Sequence, residues 1–337
     1  MPTIAIDAMG SDNYPVPDVQ GAILAAREFG YHILLVGDKD IINTELLKHD
    51  TQNVNIEIVH ASEVIHMTDK PSEVTKARTD SSMHVGMRLV KDSKADAFVT
   101  AGNTGAVMGI AIFRELHRIR GVKRPALSGI FPVGSKHITF LDLGANADAK
   151  PEWLAQFAVM GHIYAQKILH LSEPRLALLS NGEEDIKGSQ LINDAAELLV
   201  KLPINFVGNV EPKEILQGQV DVIVTDGFVG NIFVKTFEAS ASYLKSVIRD
   251  EIKKDVLSML GALLLGPAFK RVHKRTDTSE IGGAPLLGVN GIVIIAHGRS
   301  DKYAIKNAIH QAGQAVHNQI IDSIRQGVAS IDYQASD

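Results

Sequence analysis

The chain has 337 residues, 45% hydrophobic and 22% charged, enough for a sizeable core in one large α/β domain or two smaller ones. Its net charge of −5 excludes nucleic-acid binding by bulk electrostatics. The absence of cysteine excludes disulfides, thiolate metal sites and an acyl-cysteine intermediate, and fits a reducing compartment.

In chain order, MPTIAIDAMG lacks the basic and apolar regions of a signal peptide and reads as a first strand at 3–7. Short apolar runs ending in small or polar residues predict further strands at 32–36, 55–59, 96–100, 138–143, 175–180, 204–207, 221–225 and 291–296. Helical patterns lie between them, among them VPDVQGAILAAREFG, AVMGIAIFRELHRI, PEWLAQFAVMGHIYAQKIL and, near the end, DKYAIKNAIHQAGQAVHNQIIDSI. The alternation predicts a mostly parallel sheet covered on both faces. No linker or repeat divides the chain. The apolar run VLSMLGALLLGPAF, 256–269, has 14 residues against the roughly 20 a membrane span needs. It also carries Gly261, Gly266 and Pro267, so it predicts a surface element and no span.

Turns rich in Gly and Asn recur after the strands, where ligands gather in open α/β sheets. In TAGNTGA, 100–106, a strand–loop–helix turn of Gly102, Asn103, Thr104 and Gly105 offers free amides and a helix dipole to an anion. Neither GxxxxGK[ST] nor GxGxxG is present, so a small anion such as inorganic phosphate fits better than a nucleotide. The plain alternative is a tight turn. In DLGANAD, 142–148, Asp142 and Asn146 follow a strand, and Asp148 is placed to cap the helix beginning at Pro151. SNGEEDIKG, 180–188, puts Asn181 in a loop, with Glu183, Glu184 and Asp185 as a solvated turn. Lys187 is either a surface lysine or a cation folded back toward that loop. In TDGFVGN, 225–231, Asp226 either caps a helix carrying Asn231 and Lys235 or orients a base or cation. GGAPLLG, 282–288, reads as a flexible apolar loop, able to line a tunnel or form a lid. His297 in HGRS, 297–300, ends a strand and is either structural or a proton shuttle. GxSxG and HExxH are absent, and the 13 histidines are scattered without a metal cluster.

Two basic runs stand out, FRELHRIRGVKRP at 113–125 and FKRVHKR at 269–275. The second directly follows the apolar run, a pairing that suits an anionic membrane surface or a subunit interface.

MGSD at 9–12, TAGNTGA, RPAL at 124–127, DLGAN, NGEE…KG, GNVE at 208–211, TDGFVGN, GGAPLLG and HGRS occur in this order. Together, over about residues 3–325, they resemble the bacterial phosphate acyltransferases of phospholipid synthesis, which move a fatty acyl group from acyl carrier protein to inorganic phosphate. The resemblance implies a Rossmann-like three-layer α/β/α fold related to phosphotransacetylases. The organisation expected is one large catalytic domain over 1–330, with a helical segment protruding around 230–275. It also implies a homodimer, no metal or organic cofactor, no nucleic acid, and a cytoplasmic protein partly held on the inner face of the membrane through 256–275. Within that frame the catalytic candidates are Asp226, His297 and Lys187. The substrate-binding candidates are Gly102, Asn103, Thr104, Gly105, Asp142, Asn146, Asn181 and Asn231, with Asn103, Asn146 and Asn231 as donors to the thioester oxygen. The carrier protein is expected on 113–125. Rival expectations are a short-chain phosphate acetyltransferase using coenzyme A and a non-catalytic membrane-associated binding module.

Overall fold

The computed structural model describes residues 1–134, 136–182, 184, 187–276 and 282–331, with only the backbone of 273–276. Its strands are β1 (Thr3–Asp7), β2 (His32–Gly37), β3 (Ile56–His60), β4 (Ala97–Thr100), β5 (Ala126–Val133), β6 (Lys136–Leu141), β7 (Leu176–Leu179), β8 (Phe206–Val210), β9 (Val222–Val224), β10 (Ala284–Leu287) and β11 (Ile292–Ile295). The helices are α1 (Val16–Phe29), α2 (Lys39–Leu46), α3 (Pro71–Ala77), α4 (Ser82–Lys91), α5 (Thr104–Phe113), α6 (Pro151–Ile168), α7 (Gln190–Leu199), α8 (Pro212–Leu216), α9 (Gly227–Ile252), α10 (Val256–Thr276), α11 (Lys302–His317) and α12 (Ile320–Ala329).

All the strands join one sheet in the order β3-β2-β1-β4-β11-β10-β5-β6-β9-β7-β8. Pairing is parallel on both flanks and antiparallel only at the centre, where β10 lies between β11 and β5, and β5 beside β6. Because both faces are covered, β7 (LALL) and β11 (IVII) are apolar throughout, β4 (AFVT) is apolar up to Thr100, and all three are fully buried. Helices α1, α6, α7, α11 and α12 pack into one continuous core. On the other face α4 and α5 cover the first half, and Phe233 and Phe237 of α9 cover the second. Phe233 stacks on Phe140 with ring centroids 5.1 Å apart, which fixes the root of α9 on the sheet.

Three sequence expectations are corrected. GGAPLLG is not a flexible loop: Ala284–Leu287 is a central strand, three of its four residues buried. Pro285 is tolerated because pairing with β5 is confined to Leu286 and Leu287. β5 itself was hidden by Gly129 and Pro132, which interrupt its apolar run. The long terminal helix breaks at Asn318 and at Gln319, whose φ is +50°.

Beyond Phe237, α9 and α10 bury no described side chain, although α10 still lies against β5, and Tyr243, Leu257, Leu263 and Leu264 are each more than two-thirds exposed. Among the described residues no helix is long and apolar enough to cross a membrane.

Candidate active site

A crevice of about 900 Å³ opens where the two halves of the sheet meet. Six loops, strand β5 and one helix face build it. The loops contribute Asp12, Met67, Gly102 and Thr104, Leu143 and Gly144, Gly282 and Gly283, and His297 to Asp301, and α9 contributes Asn231, Val234, Lys235 and Glu238. Four expected site residues therefore meet there: Gly102, Thr104, Asn231 and His297.

The TAGNTGA turn is held from below. The Gly102 amide donates to Thr100 Oγ1 at 3.0 Å, so it is not offered to a ligand. Asn103 caps α5 by accepting the Ala106 amide at 3.1 Å. Its side-chain nitrogen donates to the carbonyls of Met67 and Asp69 at 3.1 and 3.0 Å. Asn103 is thus a buried clamp between α5 and the 66–69 loop, and its side chain has no donor left for a thioester oxygen. Gly105 is a packing glycine: a Cβ there would come within 2.6 Å of Pro71, so α3 lies directly on α5. What remains for an anion is backbone. The amides of Asn103, Thr104 and Gly105 have no acceptor among the described residues.

The opposite wall is the HGRS loop. His297 is exposed, and its Nδ1 accepts the Arg299 amide at 3.2 Å, which in the neutral ring leaves the proton on Nε2. Arg299 lines the crevice and forms no ion pair among the described residues. The other cation, Lys235, is shared with Glu238 at 3.4 Å. Asp301 is committed to capping α11 through the Tyr303 and Ala304 amides.

The other expected residues have different occupations. Asp142 is fully buried and accepts from the amides of Leu127, Gly144, Ala145 and Asn146 and from the Asn146 side chain, at 2.7 to 3.2 Å. Burial pushes its carboxyl above the usual range and the hydrogen bonds pull it back. It organises the 142–146 loop and does not reach the crevice. Asn146 spends its side-chain nitrogen on Asp142 and the Pro125 carbonyl, both at 2.8 Å. Asp226 is the N-cap of α9, accepting the Phe228 and Val229 amides at 2.9 Å. Asp148 caps nothing: the residue before Pro151 is Lys150, without a side-chain cap.

Asp226 and Asn181 line a second groove of about 930 Å³, on the other side of α9. Asn181 accepts the Gly188 amide at 3.0 Å, and Lys187 is exposed nearby. Glu183 and Asp185 lie outside the described residues. The expected site is therefore divided by α9 between two cavities. Among the described residues no group of His, Asp or Glu could hold a metal ion.

Sequence reasoning passed over Arg299, although it lies between His297 and Ser300. It also passed over Asp7, Ser11, Asp18 and Thr100, all buried. The signal available was a carboxylate ending an apolar strand, TIAID, immediately before a glycine turn.

The fold is that of the phosphotransacetylases. A Streptococcus pyogenes phosphotransacetylase superposes with a TM-score of 0.62 at 17% identity, covering 97% of this chain and 94% of that one. A branched-chain phosphotransacylase from Enterococcus faecalis V583 gives 0.60 at 15%, covering 94% and 99%. Within that fold class, the chain belongs to the family described as fatty acid synthesis protein, which matches residues 2–323. Curated relatives named phosphate acyltransferase run nearly its full length. The Geobacter sulfurreducens protein is 46% identical (94% of this chain, 91% of the relative), and that of Alkaliphilus oremlandii 44% (97% and 98%). The Pelotomaculum thermopropionicum protein is 45% identical (99% and 97%).

Proposed function

We propose that the crevice between the sheet halves binds inorganic phosphate against the start of α5 and beside Arg299, and joins it to a fatty acyl group carried by acyl carrier protein. The reaction is acyl transfer to phosphate, the activity for which the relatives are named. One observation carries the assignment of the crevice: Thr104, first residue of α5 and preceded and followed by residues whose amides are likewise unclaimed, and Arg299, whose guanidinium forms no ion pair among the described residues, line the same cavity. A phosphate oxygen attacks the thioester carbon, the C–O bond forms, and the C–S electron pair leaves with the carrier's sulfur. The proton of monohydrogen phosphate passes to that sulfur, so acyl phosphate and the thiol form of the carrier are the products. Binding both reactants in near-attack geometry supplies much of the rate, on the order of 7–11 kcal/mol. His297 Nε2–H is a donor for the developing oxyanion or the departing sulfur.

Finer features belong to the same reading. The basic run 113–125 begins where α5 ends, about 15 Å along the helix from the phosphate loop, and its Arg114, Arg118, Arg120 and Lys123 are exposed to an acidic carrier. The apolar surface of α9 and α10 supports a homodimer and a peripheral contact through 256–275 with the inner face of the membrane. Lys270 and Arg271 are exposed beside it; the side chains of His273, Lys274 and Arg275 lie outside the described residues.

The test is acyl hydroxamate formed by hydroxylamine trapping from long-chain acyl carrier protein and phosphate. Arg299→Gln is expected to raise the KM for phosphate about 10- to 100-fold, the worth of a charged hydrogen bond. Turnover of acetyl-coenzyme A without turnover of the carrier thioester would make the protein a short-chain enzyme. Inactivity with both donors would leave a binding module.

A further inference from the structure

Asp7 ends β1 and Thr100 ends β4, its parallel neighbour, so their side chains lie side by side under the crevice. The Thr100 hydroxyl donates to Asp7 Oδ2 at 2.7 Å, while its oxygen accepts the Gly102 amide at 3.0 Å. The second carboxylate oxygen accepts the Met9 amide at 3.1 Å. Gly10 crosses this node closely: a Cβ there would fall 2.6 Å from Asp7 Oδ2 and 2.9 Å from Thr100 Oγ1. Two residues on, the Asp12 amide donates to the Gly298 carbonyl at 2.8 Å. One buried carboxylate that never reaches the cavity therefore anchors two of its loops, 9–12 and 101–104. Through Asp12 it reaches the loop bearing Arg299.

We propose that Asp7 is a positioning residue of the phosphate site, acting through Thr100 and the Met9 amide to align the free amides at the start of α5 with Arg299. The inference rests on the reading of the crevice as the phosphate site. The physical reason is polarity. A threonine hydroxyl has one proton. With Asp7 as a pure acceptor, that proton points to the carboxylate and a lone pair points to Gly102. An asparagine at position 7 would keep its oxygen on the Met9 amide and turn its NH₂ to Thr100. The hydroxyl oxygen, with two lone pairs, would then accept from both that NH₂ and the Gly102 amide, and its own proton would be left buried without the carboxylate that took it. The turn must shift to find that proton an acceptor, and the amides of 103–105 move with it.

The experiment measures both Michaelis constants for wild type, Asp7→Asn, Thr100→Val and Thr100→Ser. Asp7→Asn and Thr100→Val are expected to raise the phosphate KM about tenfold or more, leaving the KM for the acyl carrier within about twofold. Thr100→Ser, which keeps the hydroxyl, restores the wild-type value. If Asp7→Asn does not fold, the two Thr100 variants decide alone. An unchanged phosphate KM in a folded Asp7→Asn or Thr100→Val protein overturns the inference, as does an equal rise in both constants, the mark of general loosening. A wild type that turns over acyl carrier without saturating in phosphate overturns the crevice reading and this inference together.

Discussion

Asp18, in the first turn of α1, is buried; one oxygen accepts the Ser11 hydroxyl at 2.6 Å and the other has no partner among the described residues. Burial, with a smaller push from nearby Asp7, raises its carboxyl from 3.8 to about 7. Between those values the native state keeps a proton that the unfolded chain has lost. Stability from this group therefore falls as pH rises from about 4 to 7, and stays low above that. Asp18→Asn removes the dependence. Its stability relative to wild type is expected to improve between pH 5 and pH 8, by an amount bounded on the order of 4 kcal/mol. Urea midpoints at the two pH values check this; a pH-independent difference would sink it. The residue scale is also where the sequence was least legible. Asn103, Asp142 and Asn146 were singled out as residues that follow strands, yet each spends its hydrogen-bonding capacity on tying its loop to itself and to neighbouring segments. Sequence spacing carries no record of which groups a neighbouring loop will claim.

At the scale of elements, the second glycine of TDGFVGN explains how α9 comes to divide the two cavities. A Cβ at Gly230 would lie 2.0 Å from the Asp142 carbonyl oxygen, so the helix rests directly on backbone. A side chain can rotate away from such a clash, but a carbonyl in a loop tied by Asp142 cannot. Gly230→Ala is expected to cost about 3 kcal/mol, the upper part of the overpacking range, and to displace Asn231 from the crevice. Gly261→Ala, in α10 with open space around it, is the control and is expected to stabilise by up to about 1 kcal/mol. Thermal midpoints of the two variants separate the cases. Most elements were legible because buried parallel strands read as unbroken apolar runs, as in DVIVT and GIVIIA. The two central antiparallel strands were not, because β5 is broken by Gly129 and Pro132, and β10 is announced by Gly-Gly-Ala-Pro, the vocabulary of a turn.

At the scale of the whole molecule, the crevice draws on positions from Asp12 to Asp301, and only folding brings them together. The hairpin of α9 and α10 makes the opposite case, since its exposed leucines are contiguous in sequence. Leu263→Glu with Leu264→Glu is expected to leave the thermal midpoint unchanged, because both side chains are more than three-quarters exposed. The same variant is expected to abolish flotation with anionic vesicles. Sedimentation without lipid tells whether dimerisation fails as well. Retained flotation would move the membrane contact elsewhere.

The sheet order also bears on biosynthesis. β11 is inserted between β4 and β10, so the strand that feeds the TAGNTGA turn waits for a partner encoded almost two hundred residues later. At ribosomal rates of about 5–20 residues per second, β4 spends on the order of 10–40 s as an open edge. Such an edge invites pairing with other chains. A nascent chain of this protein is therefore expected to need its β4 edge shielded throughout the synthesis of its second half. A message cut short before β11 is expected to yield an adhesive fragment that lacks Arg299 and its whole loop.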